Sequence, residues 1–153
     1  MRKSSGFTLM EIIVTLIVIG ISAAALMSVF SNLIRGSADP MIQQQAATIA
    51  EAYMEEIMLR SFDDPQGGET GAAEGGETRA TYDDVKDFRS LAAGPAANQA
   101  GASIGLDSYI VTLSITNSAL NGVAAADALR INVSVNHPAI GAIAISGYRL
   151  RYP

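Results

Sequence analysis

Apolar and polar residues follow three different rhythms along this chain. From Ile12 to Ile34 there is no charged side chain, and the run is long enough to cross a bilayer as a helix, for which about 20 apolar residues suffice. From Met41 to Arg60 the rhythm is helical. Ile42, Ala46, Ile49, Tyr53 and Ile57 recur at steps of four, three, four and four, while Gln44, Glu51 and Glu55 fall off that stripe. In the C-terminal third the period becomes two. Tyr109, Val111, Leu113 and Ile115 alternate with Ile110, Thr112, Ser114 and Thr116; Ile131, Val133 and Val135 alternate with polar neighbours from Arg130 to Asn136. Both stretches predict half-buried strands. A third strand is predicted from Ala142 to Tyr152, where the apolar set changes parity after Ile143 and Ile145 and a bulge is expected at Ser146-Gly147.

The junctions complete the picture. Gly36-Ser37-Ala38-Asp39-Pro40 interrupts the first helix. Asp39 suits an N-cap and Pro40 a first helical turn, so the second helical stretch either starts anew or continues through a kink, and continuation is favoured. It is predicted to run to Ser61 and to stop at Phe62-Asp63-Asp64-Pro65, because the residue before proline disfavours helical angles. Glu56 and Arg60 have the spacing of a surface ion pair. Gln66 to Thr78 reads as a mobile acidic loop, Tyr82 and Phe88 as aromatics that pin a short turn, and Ala92 to Gly105 as a loop. Asn117–Ala126 and His137–Gly141 supply the turns between strands. The expected fold is α+β: a long N-terminal helix, with an apolar anchor half and an amphipathic half, packed on a small antiparallel sheet of three strands.

At 153 residues, one domain beyond the anchor is expected, and a net charge of −5 argues against a nucleic-acid surface. There is no cysteine, so no disulfide can brace the fold. No nucleophile–base set, P-loop or nucleotide fingerprint is present, and an enzyme is not expected. His137 stands alone beside Pro138, and Asn132-Val133-Ser134 lies inside a predicted strand. No cofactor is expected, with one alternative. Asp63, Asp64, Glu69, Glu74, Glu77, Asp83, Asp84 and Asp87 supply carboxylates that could collect calcium, although EF-hand spacing is missing.

The chemistry therefore concentrates at the N-terminus. Arg2 and Lys3 precede Gly6-Phe7-Thr8-Leu9-Met10-Glu11, and the apolar run follows directly. A secretory signal peptide would have a shorter apolar core with its cleavage site behind it. This hexapeptide before a long apolar helix resembles the type III signal of the type IV prepilin family. The resemblance implies cleavage between Gly6 and Phe7 by a prepilin peptidase and N-methylation of Phe7. It implies a leader at 1–6, a transmembrane and assembly segment at 7–36, and a pilin body at 37–153. Glycine at the junction permits close backbone approach, and Arg2 and Lys3 hold the leader in the cytoplasm. Glu11, a carboxylate at the mouth of the apolar run, would pair with the Phe7 ammonium of a neighbouring subunit. Its other reading is a solvated carboxylate favoured by the helix dipole.

A weaker resemblance covers residues 43–65 and 82–88. The Gln-rich helix ending in Ala-Tyr-Met-Glu-Glu-Ile, then Phe-Asp-Asp-Pro and Tyr-Asp-Asp-Val, is similar to minor pilins of the mannose-sensitive haemagglutinin (MSHA) pilus, the D-type subunit. Major pilins commonly close a C-terminal loop with a disulfide, and this chain departs from that pattern. The implied role is a minor pilin that primes or enters a type IV pilus. Alternatives are a minor pseudopilin of a type II secretion system and a tip-borne binding module. The implied partners are the peptidase, other pilins, the inner-membrane assembly platform and the membrane, with no nucleic acid. The implied location is the bacterial inner membrane, body periplasmic, and then the cell-surface pilus.

Overall fold

The computed structural model describes residues 8–68 and 71–152. One helix, α1, runs from Leu9 to Met58 with Pro40 inside it. Asp39 is therefore a helical residue and not the N-cap of a second helix. Four antiparallel strands follow: β1 (Gly94–Ala97), β2 (Ser103–Asn117), β3 (Ala128–His137) and β4 (Gly141–Leu150), in the sheet order β1-β2-β3-β4. The arrangement is α+β and type IV pilin-like. The chain divides into two compact units at Pro40/Met41.

In the second unit the predicted stripe is the buried one. Ala46, Ile49, Ala50, Tyr53 and Ile57 pack with Tyr109, Val111 and Ile115 of β2 and with Leu129, Ile131, Val133 and Val135 of β3. Ala46 and Ala50 lie one turn apart and are fully buried, so the helix backbone can come close to the sheet at that level. Tyr109 bridges helix and sheet, donating its hydroxyl to Gln45 Oε1 at 2.5 Å. Its ring meets that of His137, 4.6 Å away between centroids. The β2–β3 connection turns at Asn121-Gly122, both at positive φ, with Leu120 and Val123 exchanging backbone hydrogen bonds.

Five details depart from the sequence-based expectation. The sheet has a fourth strand, β1, where a loop was predicted, and β2 begins at Ser103 rather than Tyr109. β1 is an edge strand, which is where Pro95 can be accommodated without a missing ladder bond. The parity change in β4 is no bulge, since its register with β3 is unbroken from Ala128↔Leu150 to His137↔Gly141. Gly147 continues the inward side below Met54, whose sulfur would lie 3.3 Å from an added Cβ, while Tyr148 lies beside Arg130 on the other face. Arg149, inward again, donates to the carbonyl of Arg60 just past the helix end.

The helix stops at Met58, well before Pro65. There the backbone leaves to form a parallel bridge, Ser61 N–H donating to Asp83 O and Val85 N–H to Ser61 O. The expected Glu56–Arg60 pair is replaced by a buried one. Arg79 binds the Glu56 carboxylate through two N–H groups, at 3.1 and 2.5 Å, and donates to Tyr53 Oη at 2.8 Å and Ala97 O at 3.2 Å. Both charged side chains are at least nine-tenths buried. Finally, the described part of the 66–78 loop is tied down, with Arg89 donating to Gly71 O and Ser90 Oγ accepting from Ala73 N–H.

Removing one partner of a buried pair strands the other charge. Glu56→Ala should destabilise the body by about 3–5 kcal/mol in denaturant titrations. The double change Glu56→Leu with Arg79→Met should recover most of that loss; equal instability of single and double variants would refute the assignment.

Candidate functional site

The N-terminal segment is built from the helix start outward. Thr8 precedes the first helical residue and caps it: its carbonyl accepts from Glu11 N–H (3.0 Å) and Ile12 N–H (3.2 Å), and its Oγ1 also accepts from Glu11 N–H at 3.3 Å. Thr8-Leu9-Met10-Glu11 thus has the spacing of a capping box, a signal carried by the sequence itself. Glu11 lies in the first turn and is exposed, where the helix dipole favours a carboxylate. Gly6 and Phe7 lie outside the described residues.

Beyond Glu11 the helix presents apolar side chains on every side. The 23 residues from Leu9 to Ser31 are long and apolar enough to cross a membrane by length and composition, and none is buried. Large side chains such as Leu16, Ile19, Ile21 and Phe30 are more than half exposed. A helix that is hydrophobic all round needs a partner other than water. Three of its four hydroxyl groups between Leu9 and Ser31 are satisfied by the helix itself. Thr15, Ser22 and Ser31 donate to the carbonyls of Ile12, Val18 and Met27 at 2.9, 2.7 and 2.9 Å, which removes the main polar penalty of placing such a helix in hydrocarbon.

The acidic residues divide into groups with different partners. Asp63 pairs with Arg151 at 2.6 Å and Lys86 at 3.4 Å, and the Arg151 hydrogen bond holds its carboxyl below the usual range against some desolvation. Asp64 is lowered by the amides of Gly68 and Gln66. Glu69 lies outside the described residues. Asp84 Oδ1 accepts from the amides of Lys86 and Asp87, ordering the turn at Asp87–Ser90. Tyr82 and Phe88 pin that turn edge to face, 5.1 Å apart, as predicted.

Asp87 behaves differently. Burial pushes its carboxyl up against the lowering effect of the Asp84 and Asp83 amides, and the repulsion of Glu74 and Asp83 adds a smaller push in the same direction as burial. For Glu77 the Glu74 amide lowers the carboxyl, but desolvation, the Glu74 side chain and Asp87 leave it raised. A raised folded-state value means that the native state holds the proton more tightly than the unfolded chain. The contribution of Asp87 to stability therefore declines as pH rises above its ordinary 3.8 and through the raised value.

Comparison with curated proteins and with solved structures returns no significant match. Residues 1–27 match the family described as the prokaryotic N-terminal methylation motif. That motif, which takes in the start of the exposed apolar helix, supports a type IV prepilin-like family for this chain, whose members are typically structural subunits.

Proposed function

We propose that this chain is a minor pilin, cut between Gly6 and Phe7, N-methylated at Phe7, and incorporated into or priming a type IV pilus of the MSHA kind. The observation that carries the reading is the capped, exposed apolar helix that starts at Leu9, within the matched methylation motif of residues 1–27, and bears one carboxylate, Glu11, in its first turn. Cleavage before the helix retains it as an anchor and creates an ammonium at Phe7. In a filament, Glu11 pairs with the Phe7 ammonium of a neighbouring subunit. At about 4 Å and an effective dielectric near 20, the attraction is of order 4 kcal/mol before desolvation is subtracted. The pair sets the axial register of subunits whose helices otherwise meet through featureless apolar surface. The complete lack of cysteine also suits a minor pseudopilin of a type II secretion system. Co-purification with pilus subunits or with secretion components separates the two.

Processing is tested by intact mass. In cells with a prepilin peptidase, the mature chain should begin at a methylated Phe7, and Gly6→Val should leave the precursor in the inner membrane. A chain cut within the apolar run, for instance after Ala23 or Ala25, would overturn the assignment.

Assembly is tested at Glu11. Glu11→Ala and Glu11→Gln should both be cleaved normally, yet their entry into filaments should fall about tenfold or more, the equivalent of 1.4 kcal/mol lost. Glu11→Asp should be intermediate. Normal incorporation of the alanine and glutamine variants would return Glu11 to a helix-dipole role alone.

A further inference from the structure

Between helix and sheet, three carboxylates from two separate turns converge. Asp87 opens the turn at Asp87–Ser90 and is fully buried. Its Oδ2 accepts from the amides of Asp83 and Asp84, both at 3.1 Å. Its Oδ1 is buried and has no hydrogen-bond partner. A buried carboxylate oxygen without a donor is costly, and in native proteins such an atom calls for an explanation. Glu74 and Glu77 come from the preceding loop, where Glu77 N–H donates to Glu74 O and Glu77 Oε2 accepts from Glu74 N–H. One carboxylate oxygen from each of Glu74, Glu77 and Asp87 lies within 4.8 Å of the others. Among the described residues, Arg79 pairs with Glu56, and Arg89 donates to Gly71 O, Ile115 O and Asn117 Oδ1.

We propose that Glu74, Glu77 and Asp87 form a calcium site that fastens the loop following the helix onto the turn at Asp87–Ser90. Calcium binds oxygen at about 2.3–2.6 Å, so two ligands on opposite sides of one ion stand about 4.6–5.2 Å apart. Oxygens within 4.8 Å of one another are close enough to share a single ion. All three candidate ligands are carboxylate oxygens, which are hard donors, and they come from two separate turns. Calcium tolerates such a set, whereas magnesium demands a near-ideal octahedron. With Oδ2 turned to the amides, Oδ1 of Asp87 is the oxygen left for the ion. The site does not depend on the pilus reading.

The full chain, purified in detergent and stripped with EDTA, is titrated with calcium chloride by calorimetry and by thermal melting. Binding should be seen with Kd in the range of about 10⁻⁵–10⁻³ M, and saturating calcium should raise the melting temperature by roughly 5 °C or more. Asp87→Asn should abolish the calcium response and melt higher than the unaltered chain in EDTA, because an amide relieves the repulsion. Glu77→Gln, at a less buried position, should weaken binding about tenfold and keeps the test open if Asp87→Asn fails to fold. No heat and no melting shift with calcium would overturn the site. So would an equal shift with magnesium, or calcium responses of both variants that match the unaltered chain.

Discussion

One helix has to satisfy two environments. From Leu9 to Ser31 every side chain is exposed, and almost all of them are apolar; from Met41 onward one stripe is buried by a sheet and the opposite side is polar. A continuous helix meets both demands because its backbone hydrogen bonds are internal to the segment, so they survive in water and in hydrocarbon alike. The side chains then decide the environment for each half. The hydroxyls of Thr15, Ser22 and Ser31, which fold back onto the helix, and a capped first turn leave the segment Leu9–Ser31 with little unsatisfied polarity apart from Glu11 and Ser28. In the proposed assembly role, that isolation matters, since a single carboxylate on an apolar surface can specify register where apolar contacts cannot.

The body solves a separate problem: a small core with no disulfide. Ala46 and Ala50 let the helix approach β2 and β3, and Ile57, Leu129, Ile131 and Val133 are fully buried between them. Some of the polar groups taken inside meet several donors or acceptors, although Asp87 Oδ1, Arg60 Nε and Arg149 Nε are buried without a hydrogen bond. The Tyr53 hydroxyl serves Ala97 N–H, Ala97 O and Arg79 together, and the Arg79 guanidinium stacks 4.0 Å above the Tyr53 ring. This network fastens β1, a strand with little apolar content, to the helix. Asp84 and Asp87 do the same for the segment that joins helix to sheet, by accepting amides that would otherwise be buried without partners.

Much of this was readable from the residues. The apolar run, the stripe Ile42–Ile57, the alternation in β2 and β3 and the aromatic pin at Tyr82 and Phe88 each carry a period or a residue type with one dominant physical outcome. What escaped depended on tertiary contacts. β1 is Gly-Pro-Ala-Ala, with no alternation to detect, and it exists because β2 and Tyr53 offer it partners. Glu56 looked like half of a surface pair with Arg60, but the stripe turns it inward toward Arg79, 23 residues further on. Gly147 looked like a bulge, although its role is to leave room for Met54. At the N-terminus the glycine junction and Glu11 stood out, yet Thr8, whose capping distance to Glu11 is local, was visible and passed over.

The central claim is that the two halves of the helix are stabilised independently, the first by an apolar environment and the second by its own sheet. Hydrogen exchange read by mass spectrometry tests this most directly, on the full chain in lipid discs and on a chain beginning at Ser37 in water. Amides from Ala46 to Ile57 should be equally protected in both, and amides from Leu9 to Ser31 should be protected in the discs. Loss of protection over Ala46–Ile57 when the first half is absent would contradict the account.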